Sequence, residues 1–595
     1  MQENKRNRIS KVAFAFCMAL LFMIIFLIST FFLTSKRHIP NTEKDQYSHA
    51  LRGNIVTKDN FTIASSRQVY RAEIDLRSID KDKFDLFLKL FQIYSGASNE
   101  QMLDIRKRIQ NAKKKSYNFV LLQNLDSKRA SYLKELAKKL YIQGFFKAFN
   151  NNNRVETRGL SIIEHREDRI YMSADTLTPA IGYTKTFLDK DNNILKNIGV
   201  KGLEKYYDEC LSPLQDEKIQ GLKDIGGNII LNSNSLQQKK INGCDLYLNV
   251  SLKLQKNIEK AIDQRNEELK ANEIIVGVME SKTGKILALA SSRRYDPKNR
   301  SKDLSVLNAS AIEYGYEAGS VIKPFIFVTA LRLNKIKLDE IINTYGGKYK
   351  LGRFIISDDH RKDKMSMEEI IRYSSNIGMI QIAKRLNNLE IISGLRIFKF
   401  GEKSGIDLPY EQKGELPNPK RLRDIEKSVL SYGYGLKTTF IQLLGAYNVF
   451  NNDGIYITPK LADKFYQNGR FISLDDEIKK EKILSNEAAK TMQNILIDVI
   501  EKGTGKKAMT PGIIIGGKTG TARIAERQGY TSNRYNASFF GFANDENHRY
   551  TIGVLVRNPT KTYYAAQSAL PMFKDVIDIL INEDFLKPIQ NNSNQ

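Results

Sequence analysis

One uncharged apolar segment near the N-terminus constrains the fold of this chain more than any other feature. Val12 to Leu33 contains 22 residues without a charged side chain. At about 1.5 Å per residue, a helix of that length crosses a hydrocarbon layer of roughly 30 Å. Four basic residues precede it, namely Lys5, Arg6, Arg8 and Lys11. This charge bias predicts a cytoplasmic N-terminus, with the chain after Ser35 on the extracytoplasmic side.

A cleaved signal peptide is the alternative interpretation of this segment. However, the apolar run is longer than the hydrophobic region of a signal peptide, and no small-x-small cleavage site follows it. We therefore predict a retained, single-pass anchor in the cytoplasmic (inner) membrane that holds a periplasmic or otherwise extracytoplasmic body.

The composition of the remaining chain indicates a soluble body of more than one domain. The chain has 595 residues, which is about three to four typical domains. With three cysteines and five histidines, neither a disulfide scaffold nor a metal cluster is expected, and we predict no metal and no cofactor. The net charge is +26, but the lysines are scattered and no nucleic-acid motif accompanies them, so nucleic acid is not a predicted partner.

The order of elements in the second half predicts an α+β fold. Two strands joined by a tight turn come first, Glu273 to Ser281 and Lys285 to Ser292. Helical periodicity fills the middle and strands return at the end, which is typical of an antiparallel sheet covered by a helical cluster. The predicted helices are Ser251 to Lys270, Val321 to Leu333, Met367 to Arg372, Thr439 to Phe450, Glu487 to Lys502 and Gln567 to Leu580, the last of which could close a face of the sheet. The predicted late strands are Gly512 to Gly517, Ala537 to Ala543 and Tyr550 to Val556.

The first half of the extracytoplasmic chain is mixed and contains no catalytic cluster. Predicted strands cover Gly53 to Val56 and Val69 to Ile74, and predicted helices cover Asp80 to Tyr94 and Ser127 to Tyr141. The run from Asn150 to Asn153 is predicted to be a loop.

Two serine motifs supply candidate nucleophilic and proton-transfer groups. Ser320 and Lys323 begin a predicted helix, where the lysine lies one turn beyond the serine on the same face. That spacing suits a nucleophile and its base. Ser374-Ser375-Asn376 follows a helix that opens with a Ser366 to Glu369 capping box, and a loop there would display polar side chains.

A third motif supplies a cation and hydroxyl groups. Lys518-Thr519-Gly520-Thr521 follows the isoleucine-rich strand at Gly512 to Gly517, so the lysine is expected to leave the end of a buried edge strand. Such a group of side chains is suited to binding a carboxylate. Each motif alone is a weak signal, since Ser-x-x-Lys also occurs at Ser78 and Ser131.

The chain order of the three motifs is far more specific than any one of them. Ser-x-x-Lys, Ser-x-Asn and Lys-Thr-Gly in this order form the signature of penicillin-binding proteins and serine β-lactamases. A second ordered set exists, made of Ser78, Ser116 to Asn118 and Lys282 to Gly284. We reject it, because Ser78 lies in a charged stretch and the early Lys-Thr-Gly occupies a predicted hairpin turn.

At these residues the chain resembles the penicillin-binding transpeptidases. Tyr316 to Pro324 (YEAGSVIKP) is similar to the family's Y-E-P-G-S-x-x-K-P, with Ala318 replacing the usual proline. Upstream, Arg52 to Ile55, Ile181 to Thr184 and Gly202 to Asp208 resemble the non-catalytic pedestal of the class B, monofunctional branch. The class A branch would need a glycosyltransferase domain, for which the chain has neither motif nor room.

The resemblance implies a domain organisation in five parts. These are a cytoplasmic tail at 1–11, a transmembrane helix at 12–34, a dimerisation-type pedestal at 35–240, a transpeptidase domain at 241–582 and a polar tail at 583–595. Within class B, Asn376 and Arg523 are more similar to the division-specific, FtsI-type enzymes than to the elongation type, which usually carries Asp and Gln there. The expected partners of such an enzyme are a membrane glycosyltransferase of the FtsW type and other division proteins.

The resemblance also implies a reaction and a role for each motif residue. Ser320 would attack the penultimate D-alanine of a peptidoglycan stem peptide ending in D-Ala-D-Ala, with neutral Lys323 as base. Burial and the nearby Lys518 are expected to disfavour the charged form of Lys323. The remaining implied roles are proton transfer by Ser374, amide binding by Asn376, carboxylate and substrate binding by Thr519, Gly520 and Thr521, and an oxyanion hole from the N–H groups of Ser320 and Thr521. Penicillins and other β-lactams would acylate Ser320.

Three other interpretations compete with this one. Gly512 to Thr519 formally matches a phosphate-binding G-x-x-x-x-G-K-[ST] loop, but isoleucines fill its centre and no apolar strand precedes it. A β-lactam hydrolase or sensor would need a carboxylate to activate water, for which Glu415 is a loose candidate. A non-enzymatic scaffold would leave the motif set unexplained. Whether Cys210 and Cys244 pair, and whether the protein dimerises, stays open at this point.

Overall fold

The computed structural model describes most of the chain as ordered elements. The described residues are 2–35, 43–112, 119–151, 154–189, 194–222, 229–233, 235–300, 303–525, 530 and 533–589. The rejected motif at Ser116 to Asn118 and residues 590–595 of the polar tail lie outside these ranges.

Within these ranges the chain forms sixteen α-helices. They are α1 (Gln2–Ser35), α2 (Phe84–Ser95), α3 (Asn99–Asn111), α4 (Ser127–Ile142), α5 (Gly202–Tyr206), α6 (Asp208–Leu211), α7 (Leu252–Leu269), α8 (Ser310–Glu313), α9 (Lys323–Arg332), α10 (Met367–Arg372), α11 (Asn376–Lys384), α12 (Asn388–Arg396), α13 (Asp424–Leu430), α14 (Phe440–Asn451), α15 (Asn486–Lys502) and α16 (Ala569–Asn582).

Twenty-five strands occur in the same described part of the chain. They are β1 (Glu43–Ser48), β2 (Ile55–Val56), β3 (Thr62–Ile74), β4 (Phe119–Leu125), β5 (Phe149–Asn151), β6 (Arg154–Glu156), β7 (Leu160–Tyr171), β8 (Tyr183–Asp189), β9 (Ile194–Lys201), β10 (Glu217–Leu222), β11 (Leu236–Gln238), β12 (Asp245–Leu248), β13 (Glu273–Glu280), β14 (Ile286–Ser291), β15 (Ile341–Asn343), β16 (Lys348–Leu351), β17 (Phe354–Ser357), β18 (Lys364–Ser366), β19 (Ile455–Ile457), β20 (Ala462–Gln467), β21 (Arg470–Ser473), β22 (Lys480–Lys482), β23 (Ile514–Arg523), β24 (Tyr535–Asn544) and β25 (Arg549–Arg557).

The smaller of two compact units contains the apolar N-terminal helix. This unit comprises Met1–His49 and Gln215–Lys240. Its segment Arg8–Phe32 is long and apolar enough to cross a membrane and is unburied, as expected of a helix whose solvent is lipid. The unit also contains the antiparallel sheet β1-β10-β11.

The larger unit contains a mixed sheet built from both halves of the sequence. The unit comprises Ala50–Leu214 and Ile241–Gln595. Its sheet has the order β21-β20-β12-β2-β3-β7-β9-β8, with β4 also paired to β3. Strands β20 and β21, which come from the second half of the chain, therefore continue the sheet of the first half.

A buried ion network holds this mixed sheet against helix α5. Glu204 is completely buried, and its carboxylate accepts hydrogen bonds from Arg52 Nε at 2.7 Å and Arg169 Nε at 2.8 Å. Arg52 also donates to Asp208 at 2.7 Å. The two guanidinium groups hold the pKa of Glu204 below its usual range despite its burial, and the charges are compensated as buried charges must be.

The antiparallel sheet β14-β13-β25-β24-β23 lies between two helical layers. Helices α7 and α16 cover one face, where Ile258 and Phe573 are buried with sheet residues such as Val276. All twelve residues of α14 are buried on the other side, within the helical cluster. This arrangement confirms the predicted α+β fold, including the C-terminal helix on a face of the sheet.

Most predicted elements of the second half are confirmed, and two local predictions are wrong. Lys518 does not leave the end of a strand, because β23 continues through the Lys-Thr-Gly motif to Arg523. Asn150 and Asn151 are not loop residues, since they belong to β5, which pairs with β6; residues 152 and 153 are outside the described ranges. The structure also answers the question of the two cysteines, because Cys210 and Cys244 form a disulfide with Cα atoms 5.5 Å apart.

Candidate active site

Ser320 and Lys323 lie on one continuous helical segment. Ser320 is in a 3₁₀ turn, Gly319–Ile322, which runs directly into α9. Proline in the first turn of α9 suits this start, because its missing N–H would have no helical partner there. The prediction that both residues lie at the start of one helix is confirmed.

A close backbone contact fixes the turn that carries Ser320. The N–H of Gly319 donates to the carbonyl of Gly433 at 3.1 Å. Gly433 has φ 96°, and a Cβ there would overlap the carbonyl oxygen of Gly319. Only glycine satisfies both conditions without strain. The loop that follows α13 therefore packs directly against the turn that carries Ser320 and holds it in place.

Lys323 joins the first motif to the second. Its side chain is fully buried, and Nζ donates to the Ser374 carbonyl at 2.6 Å, the Ser374 hydroxyl at 3.1 Å and the Asn376 side-chain oxygen at 2.7 Å. In this structure the amine therefore bonds to the Ser-x-Asn motif rather than to Ser320.

Burial lowers the pKa of both motif lysines, Lys323 and Lys518. Desolvation lowers the pKa of Lys323 to about 7, against an opposing effect of the carboxylates of Asp358 and Asp359. Desolvation, together with the charge of Lys323, lowers the pKa of Lys518 well below its ordinary value. A buried amine loses its proton more readily because the low-dielectric surroundings disfavour the ion. The amine of Lys323 thus has a pKa near neutrality.

The Ser-x-Asn motif is held in place by the start of α11 and by Asp358. Ser374 has φ 60°, and Ser375 caps α11 by accepting from Gly378 N–H at 2.8 Å. The buried carboxylate of Asp358 accepts from Ser375 Oγ, from the Asn376 N–H at 2.7 Å and from the Ile377 N–H at 3.2 Å. A carboxylate at a helix N-terminus is favourable both as hydrogen-bond acceptor and as a charge near the positive end of the dipole.

The third motif approaches the serine turn from the edge strand β23. Lys518 is fully buried, whereas Thr519 and Thr521 are partly exposed on the opposite face of the strand. A Cβ at Gly520 would lie only 2.8 Å from the side chain of Val321. The glycine thus permits the close approach of the strand to the turn.

A single cleft brings the exposed motif residues together. It has a volume of about 550 Å³, which is within the usual range for a small-molecule site. The residues lining it are Ser320, Asp359, His360, Tyr373, Ser374, Asn376, Gly503, Thr504, Thr519, Thr521, Tyr564, Ala565 and Ala566. Lys323 and Lys518 lie buried beneath this surface.

Several cleft residues were not identified from the sequence. Asp359 and His360 lie between β17 and β18, and Tyr373 immediately precedes Ser374. The ring of His360 stacks on Tyr373 with centroids 4.0 Å apart and planes inclined by 15°. None of them belongs to a recognised motif; the only available signal was the adjacency of Tyr373 to the Ser-x-Asn motif.

The residues of the competing interpretations lie elsewhere or have other structures. Glu415 is exposed and forms an ion pair with Lys437 at 3.1 Å, and it does not line the cleft. The stretch that matches a phosphate-binding loop is mostly strand β23. In the rejected motif set, Ser78 is buried and bonded to backbone carbonyls, and Lys282 to Gly284 form the turn between β13 and β14.

Comparison with known proteins identifies similar families along both halves of the chain. A family model described as the penicillin-binding protein transpeptidase domain matches residues 274–578. One described as the penicillin-binding protein dimerisation domain matches residues 47–248.

Curated relatives and a solved structure extend these matches. The chain is 30% identical over 400 residues to the peptidoglycan D,D-transpeptidase FtsI of Buchnera aphidicola subsp. Schizaphis graminum, covering 67% of this chain and 68% of that protein. It is 29% identical over 425 residues to the probable peptidoglycan D,D-transpeptidase PenA of Neisseria meningitidis, covering 71% and 69%. The fold is similar to that of penicillin-binding protein 2X from Streptococcus thermophilus, with a TM-score of 0.72, 20% identity and coverage of 92% and 83%.

Proposed function

The chain belongs to the penicillin-binding protein transpeptidase family, and we propose that it crosslinks peptidoglycan through a covalent ester on Ser320. It is a division-type, class B peptidoglycan D,D-transpeptidase. The observation that supports the residue assignment is the position of Lys323, fully buried beneath the cleft and bonded to Ser374 and Asn376. The proposed catalytic residues are Ser320, Lys323, Ser374, Asn376 and Lys518.

In the proposed acylation step, Lys323 acts as the general base. Its neutral amine takes the proton from Ser320 Oγ, and the oxygen attacks the carbonyl carbon of the penultimate D-alanine. The C–N bond to the terminal D-alanine then breaks, and a proton passes through Ser374 to the departing nitrogen. Hydrogen bonds in a free enzyme often tighten only when substrate binds, so the present bonds of Lys323 are compatible with this role.

The edge strand β23 is proposed to hold the donor substrate. Thr519 and Thr521 present hydroxyl groups to the cleft beside Ser320, and Gly520 between them allows the strand to approach the serine turn closely. The terminal carboxylate of the donor would bind to these hydroxyls above Lys518. The N–H groups of Ser320 and Thr521 would receive the negative charge that develops on the carbonyl oxygen.

The second step releases the serine by attack of an amine from a neighbouring stem peptide. The nitrogen forms a bond to the ester carbon, the ester C–O bond breaks, and Ser320 regains its proton. β-Lactams would acylate the same serine, because a strained lactam beside a carboxylate resembles the D-alanyl-D-alanine terminus.

The remaining proposals concern location, domains and partners. The apolar helix α1 supports a membrane anchor, and the basic residues before it favour a cytoplasmic N-terminus with the active site outside. We also propose the pedestal at 35–240 and the transpeptidase domain at 241–582 as the functional division of the body. FtsW-type glycosyltransferases and other division proteins are the proposed partners in septal synthesis.

The test is the intact mass of the full chain after incubation with a penicillin. The native chain should gain one drug mass, and Ser320→Ala should gain none. Ser131→Ala is the matched control, because Ser131 lies exposed in another Ser-x-x-Lys sequence on α4 and should leave the adduct unchanged. Absence of an adduct with intact drug would contradict the proposal, and consumption of the drug without an adduct would favour a hydrolase.

A further inference from the structure

The cleft contains a carboxylate that the acylation step does not use. Asp359 lines the cleft beside Ser320, Ser374 and Asn376, and it is the only aspartate or glutamate among the described lining residues. Its side chain is exposed, and within the described ranges it forms no hydrogen bond or ion pair. Its charge nevertheless acts on the reaction centre, since it favours the protonated form of Lys323.

Asp358 and Asp359 are consecutive residues with different surroundings. Asp358 is buried and accepts three hydrogen bonds from the start of α11. Asp359 is exposed and makes no such contact with described residues. Of these two aspartates, Asp358 stabilises the start of α11, and Asp359 is available to bind a ligand.

Two different elements give the cleft two kinds of surface. Strand β23 contributes the hydroxyls of Thr519 and Thr521, which suit an anionic group. The segment after β17 contributes Asp359 and the flat stack of His360 on Tyr373. A carboxylate repels the anionic end of the donor and attracts a cation, so the second surface fits a ligand of opposite charge.

We propose that Asp359, beside the His360–Tyr373 stack, binds the ammonium group of the acceptor, a primary amine on the side chain or bridge of a second stem peptide. This inference rests on the proposed function, because it concerns the second step of the same reaction. The bound ammonium gives one proton to water before attack. The nitrogen then bonds to the ester carbon, the C–O bond breaks, and the second nitrogen proton returns to Ser320 Oγ through Lys323.

The expected effect follows from a charge pair at a partly solvated site. Exposed ion pairs contribute little, and desolvation by a bound ligand strengthens them. We expect Asp359→Asn to require about three- to tenfold more ammonium acceptor for the same yield of amide.

The experiment measures how the acyl-enzyme divides between amine and water. The full chain in detergent micelles is given a thioester analogue of the donor at pH 8, where Lys323 is mostly neutral in native and variant chains. The acceptors are Nα-acetyl-lysine amide, which carries an ammonium group, and hydroxylamine, which is uncharged at that pH. The ratio of aminolysis to hydrolysis products is recorded against acceptor concentration.

Two further variants separate charge from structure. Asp359→Glu keeps the charge and should restore much of the aminolysis with the lysine acceptor. Asp363→Asn is the matched control, because Asp363 is an exposed aspartate of the same segment that does not line the cleft. It should behave like the native chain with both acceptors.

The outcomes distinguish this inference from the proposed function. A loss in Asp359→Asn that is confined to the ammonium acceptor supports the inference. If Asp359→Asn leaves the ratio of aminolysis to hydrolysis unchanged with both acceptors, or lowers it equally with both, the inference is overturned. The proposed function stands in that case, provided that penicillin still acylates Ser320. If the native chain forms no penicillin adduct at all, the proposed function itself fails.

Discussion

The buried amine of Lys323 should make acylation by penicillin strongly dependent on pH, with a midpoint near 7. The pKa of Lys323 falls from 10.5 to about 7. At pH 7 about half of the amines are then neutral, whereas roughly one in 3000 would be neutral at the ordinary pKa. Burial therefore increases the population of the proposed base by roughly a thousandfold.

The direction of the effect follows from the role of the neutral amine. Below the midpoint Lys323 is protonated and cannot accept the proton of Ser320, so the acylation rate should fall about tenfold for each pH unit. Above the midpoint the rate should reach a plateau by about pH 8. Between pH 8 and pH 5 the expected loss is on the order of a hundredfold.

The assay is the second-order rate of adduct formation, followed by intact mass between pH 5 and pH 9. Because histidine can also change charge in this range, the cleft residue His360 requires its own control. The variant His360→Gln should keep the midpoint near 7. A flat profile from pH 5 to 9, a midpoint near 10, or loss of the midpoint in His360→Gln would refute the assignment of Lys323 as the base.

Three further predictions concern the residues that support the site and the fold. Asp358→Asn removes a negative charge that favours the protonated form of Lys323, so the midpoint of the pH profile of acylation should fall. The variant should also be less stable by about 1–3 kcal/mol, because its hydrogen bonds to the start of α11 are weaker. An unchanged midpoint and an unchanged melting temperature would contradict this prediction. Gly433→Ala should abolish penicillin acylation, because its Cβ would overlap the serine turn. Gly435 also has a positive φ, but no atom lies within 4 Å of a Cβ added there. Gly435→Ala should therefore lose only about 1 kcal/mol of unfolding free energy and should still be acylated by penicillin. Equal effects of the two variants would contradict this reasoning. Glu204→Gln leaves the buried guanidinium group of Arg169 without its carboxylate and leaves Arg52 with Asp208 alone. It should destabilise the protein by roughly 3–5 kcal/mol, which a melting temperature unchanged from the native chain would disprove.

Local pattern was sufficient to predict much of the fold. Helical periodicity placed α10 at Met367–Arg372, as the structure has it. Runs rich in isoleucine and valine indicated β13, β23 and β25, and a phenylalanine-rich run indicated β24, because β-branched and aromatic residues pack well on a pleated surface. The end of β23 was predicted too early, since glycines usually weaken strands, whereas Gly520 is needed here for contact with the serine turn.

Long-range contacts were not predictable from the same patterns. Nothing in the composition of β20 and β21 indicates that they join the sheet of the first half. The motif residues of the candidate site were found because their order is a known signature. Asp358 and Asp359 belong to no motif, and their separate environments follow only from the packing of α11 against the segment after β17.

The different surroundings of the two consecutive aspartates also limit how this segment can change in length. Insertion of one residue between Ser357 and Asp358 would place the inserted residue where Asp358 now bonds to α11, and would move Asp358 to the position of Asp359. Deletion of Asp358 would bring Asp359 to the position that bonds to α11 and His360 to the cleft position now taken by a carboxylate. Most surface connections tolerate such changes. Here we expect related chains to vary freely in sequence around the pair while keeping the number of residues between β17 and the cleft constant.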